Sequence, residues 1–358
     1  TVPLGREQHR AVLGGDLMRA LVVTAPRQAA VLEVEDPVAS PGELLVEVER
    51  VGICGTDVEL YTGEMAYHDQ GVTHFPLQLG HEWTGRVVAV GTPEDESWLG
   101  RRVTGDTMLG CGHCDYCLSG HHHVCPDRFE VGIRDGWPGA LTERVLIPTR
   151  YAYAIPESVS LAAAALVEPG GNSLRAARAA SIEPGHRVLV LGSGTIGLLA
   201  ALFARAEGAE VHIAGVREGS LELARSLGVH STLRLDEIGD RENEYDSVIE
   251  ATSVETMPSL AVRLAKPAGR VVYIGLSSTP SLVDSRHIAL KDITAVGILS
   301  ASPGLAGAIQ SFAAGAVVPD ALVSEVIPLD DVPSRLEGRR GATAGPGPKV
   351  HVDPRMRS

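Results

Sequence analysis

Residues 187–197 read Arg-Val-Leu-Val-Leu-Gly-Ser-Gly-Thr-Ile-Gly. An apolar run of strand length ends directly in a Gly-x-Gly-x-x-Gly turn, and Ile196–Glu207 continues with helical character. Few folds accommodate that junction. Gly192 makes the tight turn after the strand, Gly194 lets a pyrophosphate approach the backbone, and Gly197 permits close packing of helix on strand. The helix N-terminus, at Thr195 and Ile196, then faces the phosphates. Alone the motif is a weak signal. Set between a strand and a helix it is read as a dinucleotide-binding fingerprint.

The surrounding pattern keeps the same alternation. Glu210–Val216, Tyr245–Glu250 and Arg270–Ile274 read as strands, and Ser220–Leu227 and Ser259–Leu264 as helix. This predicts an α/β domain with a doubly wound parallel sheet covered on both faces. From Met18 to about Ile155 the chain instead shows short β-like runs between Gly and Pro, among them Leu44–Val51, Trp83–Val90, Arg101–Thr104 and Ala140–Ile147. An all-β, barrel-like domain with long loops is expected there. A chain of 358 residues is long for one core, so two domains are expected. The boundaries are placed at an extension over 1–17, a β-rich domain over 18–167, a nucleotide domain over 168–304 and a return to the first domain over 305–358.

The second nucleotide strand ends in Ala214-Gly215-Val216-Arg217. A carboxylate near this point would accept the ribose hydroxyls of NAD. Gly215 removes it, and Arg217 offers a bidentate cation for a 2′-phosphate. The pattern favours NADP over NAD, with Ser220 as a secondary phosphate contact. Glu218 could instead neutralise Arg217 or serve NAD from a shifted register.

The chain has five cysteines. Four of them, Cys111, Cys114, Cys117 and Cys125, fall in one loop at a spacing that suits thiolate ligation of a structural zinc. Four thiolates close the tetrahedron, so the nearby His113, His121, His122 and His123 are expected at the surface. Cys54 stands apart. With His81, Glu82 and Glu168 it offers a Cys-His-carboxylate set for a second, open zinc site. Taken singly, a lone Cys54 is more often an inert core thiol and His81 more often a satisfied structural histidine.

The formal charge of −14 disfavours a polyanion-binding surface, so no nucleic-acid partner is expected. The longest uncharged stretch, Val188–Ala204, is broken by glycines and belongs to the nucleotide fold, so no membrane span is expected. Clustered thiols without a disulfide framework fit a reducing, cytoplasmic setting.

Gly52-Ile-Cys54-Gly55-Thr56-Asp57, Gly80-His81-Glu82, the four-cysteine loop, Glu168-Pro169 and Gly192-Ser-Gly-Thr-Ile-Gly197 occur in order over residues 18–352. Together they resemble the zinc-dependent medium-chain dehydrogenase/reductase family. The resemblance implies a GroES-like catalytic domain joined to a Rossmann cofactor domain, and two zinc ions per chain. It implies Cys54, His81 and Glu168 as catalytic-zinc ligands, Glu82 as a carboxylate that enters or leaves the metal, Thr56 as a proton-relay hydroxyl and Asp57 as the acid orienting the histidine. Glu59 stands where the family often has a relay histidine, and Ser253 where a glycine is frequent. Gly275, Leu276, Ile298 and Leu299 are implied as further cofactor contacts. The implied reaction is oxidation of a secondary alcohol of a polyol, sugar or aminocyclitol. Threonine 3-dehydrogenase-like and aldose 1-dehydrogenase chemistry are alternatives, and a non-catalytic nucleotide-binding role is a remote one. Tyr61, Glu64, His68 and Asp69 are candidates to line a pocket for a small hydroxylated substrate. The family resemblance further implies a homo-oligomer, dimer or tetramer.

Overall fold

A computed structural model describes residues 16–239, 241–339, 341 and 344–357. The extension expected over 1–17 lies almost wholly outside the described residues, and Leu17 already opens the strand Leu17–Ala25. The chain forms two units. One runs up to Ala154 and takes in Ile327–Arg339 and the chain from Val352; the other spans Ile155–Val326 and a short later segment ending at His351.

The second unit is built on six parallel strands: β1 (Arg187–Leu191), β2 (Glu210–Gly215), β3 (Ser231–Arg234), β4 (Tyr245–Glu250), β5 (Ala265–Tyr273) and β6 (Thr294–Gly297). Their order is β3-β2-β1-β4-β5-β6, the doubly wound dinucleotide-binding order, with its switch point between β1 and β4. Val188 to Leu191 are fully buried, as a strand covered on both faces requires. The covering helices include α1 (Val167–Ala179), α2 (Thr195–Ala206), α3 (Glu218–Ser226), α4 (Met257–Leu264) and α5 (Leu305–Ala313). Leu198 to Ala204 of α2 are all buried. On the other face Ala261, Val262 and Leu264 of α4 pack with Leu189, Val248 and Val271.

This unit is larger than the expected 168–304, and the reason lies in α1. Glu168-Pro-Gly-Gly lies in the opening turns of that helix. Pro169 falls in the first turn, where its missing N–H has no intrahelical partner to lose. The glycines are there for close packing: a Cβ on Gly170 would lie 2.8 Å from Phe312 Cζ, and one on Gly171 2.9 Å from Ala301 Cβ. In return, a Cβ on Gly307 of α5 would lie 2.6 Å from Leu174 Cδ2. Helix α5 is thereby drawn into the second unit, and the chain returns to the first only at Ile327.

The first unit is β-rich but, among the described residues, is not one closed barrel. Its main sheet runs in the order Ala152–Ala154, Arg102–Gly105, Glu82–Val90, Glu43–Ile53, with Arg144–Pro148 and the strand that ends at Asp353 also paired to Glu43–Ile53. A separate three-stranded sheet joins Gln28–Glu35, Leu17–Ala25 and Leu77–Gln78. Backbone bonds through Leu141 and Glu143 bridge the two: Leu21 N–H donates to Leu141 O (2.8 Å), and Val48 N–H to Glu143 O (2.9 Å). The bridge replaces the continuous ladder that closure would need.

Candidate active site and cofactor site

Cys54 follows the strand Glu43–Ile53 and caps the helix Gly55–Thr62. Its N–H donates to Asp57 Oδ2 at 2.8 Å. The other oxygen of that carboxylate accepts the N–H of Gly80 at 3.2 Å and lies 3.6 Å from His81 Nδ1. Asp57 is 0% exposed, so one buried carboxylate ties the Cys54 turn to the His81 turn. With Nδ1 facing Asp57, Nε2 is left as the imidazole donor. Gly80 has φ +102°, and a Cβ there would lie 2.6 Å from Leu141 N, so only glycine fits.

Glu82 opens the strand Glu82–Val90, and the antiparallel register sets it opposite Gly52. A Cβ on Gly52 would collide with Glu82 Oε2. The bare position 52 is what gives the carboxylate room. As a result Cys54 Sγ, a ring nitrogen of His81 and a carboxylate oxygen of Glu82 all lie within 4.8 Å of one another. Burial opposes a charge on His81, but the Asp57 charge and hydrogen bonds with Asp57 and Cys54 prevail and hold its pKa well above the ordinary value. The pocket is thus built to stabilise a cation. Thiolate, imidazole and carboxylate together suit zinc and leave one tetrahedral position open.

Glu168 is not one of the gathered donors. It sits in the first turn of α1, in the second unit, where its Oε1 accepts from Asn172 Nδ2 at 3.0 Å, one turn along. Thr56 lies two residues after Cys54 in the first helical turn, and Glu59 follows on the same helix with an exposed side chain. Three pocket candidates are otherwise engaged. Tyr61 is buried and donates to Arg27 O (3.1 Å). Glu64 pairs with Arg27, and the His68 ring stacks on Phe75.

The four-cysteine loop forms the other donor cluster. Cys111 Sγ lies 3.9 Å from Cys117 Sγ, and Cys114 Sγ 3.6 Å from Cys125 Sγ. Four sulfurs bound to a tetrahedral zinc lie about 3.8 Å apart, from a Zn–S length of about 2.3 Å. The observed spacing fits. The His113 backbone N–H is the main influence lowering the Cys111 pKa to about 6, whereas burial raises Cys117 to about 12. Crowded thiols of such unequal acidity can all ionise only around a cation. The expected surface histidines divide: His113 and His121 are exposed, His122 Nε2 lies 2.8 Å from Asp106 Oδ2, and His123 is buried.

In the second unit the cofactor candidates collect beyond the carboxyl ends of the strands. Gly192, with φ +105°, turns out of β1; its N–H donates to Ala214 O (2.8 Å) at the end of β2. A Cβ on Gly194 would meet nothing within 4 Å, leaving the helix N-terminus at Thr195 and Ile196 open to an approaching anion. A Cβ on Gly197 would collide with Gly192 O. Gly215 ends β2, and Arg217 caps α3 with Ser220 in its first turn. Gly275 and Leu276 follow β5, and Ile298 and Leu299 follow β6. Beside them a cavity of about 390 Å³ is lined by Glu250, Thr252, Gly275, Leu276 and the Ser277–Ser281 loop.

Two residues that bear on the local chemistry were not among the expected site residues. Arg225, one helical stretch beyond Glu218, takes that carboxylate at 2.9 Å, so Glu218 does not neutralise Arg217. Asn172 takes Glu168. An i,i+4 pairing rule would have found Asn172 once α1 was recognised as a helix.

The comparisons with known proteins agree with this geometry. The family model for the alcohol dehydrogenase GroES-like domain matches residues 40–157, and that for zinc-binding dehydrogenases matches 195–314. L-threonine 3-dehydrogenase of Streptomyces avermitilis is 36% identical over 278 residues, 75% of this chain and 79% of that protein. A zinc-binding dehydrogenase of Sinorhizobium meliloti 1021, solved with NADP, superposes with a TM-score of 0.86 at 30% identity, covering 95% of this chain and 100% of that one. An alcohol dehydrogenase of Escherichia coli CFT073, solved with NADH, gives a TM-score of 0.84 at 26% identity, over 95% of this chain and 100% of that one. Among the described residues no helix is long and apolar enough to cross a membrane. Donor clusters, glycine turn, strand order and relatives converge: the chain belongs to the zinc-dependent medium-chain dehydrogenase/reductase family and is an NAD(P)-dependent oxidoreductase of the alcohol dehydrogenase type.

Proposed function

We propose that this dehydrogenase oxidises a secondary alcohol of a polyol, sugar or aminocyclitol to a ketone, with NADP preferred over NAD. The observation that carries the reading is the convergence of donors from Cys54, His81 and Glu82 within 4.8 Å of one another, with Asp57 tying the Cys54 and His81 turns together. A zinc held there supplies a Lewis acid that makes a substrate hydroxyl easier to deprotonate. Asp57 keeps the Cys54 and His81 turns in place, and Glu82 adds a negative donor. Thr56 passes the hydroxyl proton towards water, with the exposed Glu59 as its next acceptor. A nicotinamide cofactor held by the second unit would supply the two-electron hydride acceptor for the substrate's carbinol carbon. A second zinc, on Cys111, Cys114, Cys117 and Cys125, holds the loop and takes no part in chemistry, which makes two per chain.

NADP preference is supported by Gly215 in place of a carboxylate and by Arg217, whose guanidinium has no ion-pair or hydrogen-bond partner among the described residues. The Gly192, Gly194 and Gly197 turn, with Thr195 and Ile196, takes the pyrophosphate, and Gly275, Leu276, Ile298 and Leu299 flank the rest of the cofactor. The names of the relatives favour a second reading, an L-threonine 3-dehydrogenase-like activity. Steady-state rates for polyols, aldoses, aminocyclitols and threonine, each with NADP and NAD, separate the two. Fastest turnover of a polyol, sugar or aminocyclitol with NADP is expected; fastest turnover of threonine, or faster turnover with NAD, refutes the corresponding half of the proposal. A homo-oligomer is expected as the working form, to be checked by light scattering.

A further inference from the structure

The middle residue of the first Gly-x-Gly is not constrained by the turn itself. Here it is Ser193, 9% exposed, and its hydroxyl has no hydrogen-bond partner among the described residues. The Gly192 N–H bond to Ala214 O pins the turn beside the end of β2, and that brings Ser193 against Gly215. A Cβ on Gly215 would collide with Ser193 Oγ and lie 2.7 Å from Ser193 Cβ; Leu221 Cδ2 closes the other side at 3.3 Å. The absence of a side chain at 215 is therefore coupled to the serine at 193.

We propose that Ser193 is a specificity-determining residue for the cofactor. Its hydroxymethyl group fills the space a carboxylate-bearing side chain at 215 would need, and its hydroxyl donates to the ribose 2′-phosphate alongside Arg217. The proposal deepens, and rests on, the NADP reading above. A carboxylate at the end of β2 only accepts hydrogen bonds and so suits a ribose diol, which donates. Ser193 and Arg217 substitute two donors, the complement of a phosphate. Arg225 helps to keep the site donor-rich: it holds Glu218 at 2.9 Å and is itself anchored to Thr232 Oγ1 at 2.7 Å.

The test is fluorescence titration of NADPH and NADH on the full, zinc-loaded chain. Ser193→Ala should weaken NADPH about 10-fold, the loss of one hydrogen bond to a charged group, and change NADH less than about 2-fold. Gly215→Asp alone should weaken both, because the new side chain meets Ser193. Ser193→Gly/Gly215→Asp should bind NADH at least about 10-fold tighter than Gly215→Asp. Ser193→Ala/Gly215→Asp should not, since the Cβ that lies 2.7 Å away remains. Equal weakening of both nucleotides by Ser193→Ala overturns the hydroxyl's role. NADH binding by Gly215→Asp as tight as by the double variant overturns the steric coupling. If Gly215→Asp does not fold, the two double variants still decide the steric question against each other. A wild-type preference for NADH would refute the NADP reading itself, and the Gly215→Asp cycle would still test the coupling.

Discussion

The two donor clusters of the first unit are built in opposite ways. The four cysteines lie within one loop, between the short strands Met108–Leu109 and Phe129–Glu130, and the loop's own regular structure is two single turns, Asp115–Leu118 and His122–Val124. Their sulfurs crowd to 3.6 and 3.9 Å, with backbone N–H groups of the same loop donating to Cys111 and Cys125. Cys54, His81 and Glu82 come instead from a helix cap, a glycine turn and a strand start, fixed by the Asp57 carboxylate and by the register of Gly52 against Glu82. On the proposed reading the first site relies on its metal for shape, whereas the second is also fixed by strand register and a buried carboxylate. A cluster that is local in sequence reports on stability, and one assembled by the fold reports on chemistry.

That contrast can be broken by four substitutions, taken in order of their effect on turnover. Cys54→Ser should lower kcat by about 10³-fold or more, the loss of several kcal/mol of Lewis-acid stabilisation, while the thermal midpoint moves little; a large fall in Tm with kcat retained would reverse the assignment. Asp57→Asn keeps the shape and removes the charge. It should cost about 10–100-fold in zinc affinity at the open site, read by competition with a chromophoric chelator, and unchanged affinity would show that Asp57 only caps the helix. Gly52→Ala pushes a methyl group into Glu82 Oε2; because that side chain can swing away, a loss of about 10-fold in kcat/KM is expected, and none would mean Glu82 is not needed near the metal. Cys117→Ser should change kcat at 25 °C by less than about 2-fold and lower the thermal midpoint by on the order of 10 °C. Loss of activity without loss of Tm would bring the cysteine loop into the chemistry after all.

Periodicity made the nucleotide unit legible. β1, its glycine turn and α2 are a continuous local pattern, and the alternation of strands and helices follows from burial on both sheet faces. The four-cysteine cluster was legible for the same reason, being contained in one loop. The Cys54 site was not legible from spacing alone, because its donors meet only through strand pairing and a buried carboxylate. It emerged through family resemblance, and the structure then gathered Cys54, His81 and Glu82 but not Glu168. The packing that draws Leu305–Ala313 against the helix Val167–Ala179 had no local signal, because it runs through the bare positions Gly170 and Gly171. Their actual partners, Phe312 and Ala301, lie more than a hundred positions away, beyond any local rule. The pairing of Ser193 with Gly215 was hidden likewise, since it depends on where a turn comes to rest against the neighbouring strand.

The main sheet of the first unit carries a timing problem for a growing polypeptide. Its strand Glu43–Ile53 is flanked on one side by Lys349–Asp353, which the ribosome adds only after the whole six-stranded parallel sheet has been made. Until then the part of Glu43–Ile53 beyond Val48, which leads into Cys54 and is not covered by Arg144–Pro148, has unpaired backbone groups on one edge that can join another chain. The nucleotide unit can complete its sheet first, and the metal-binding unit has to wait for it.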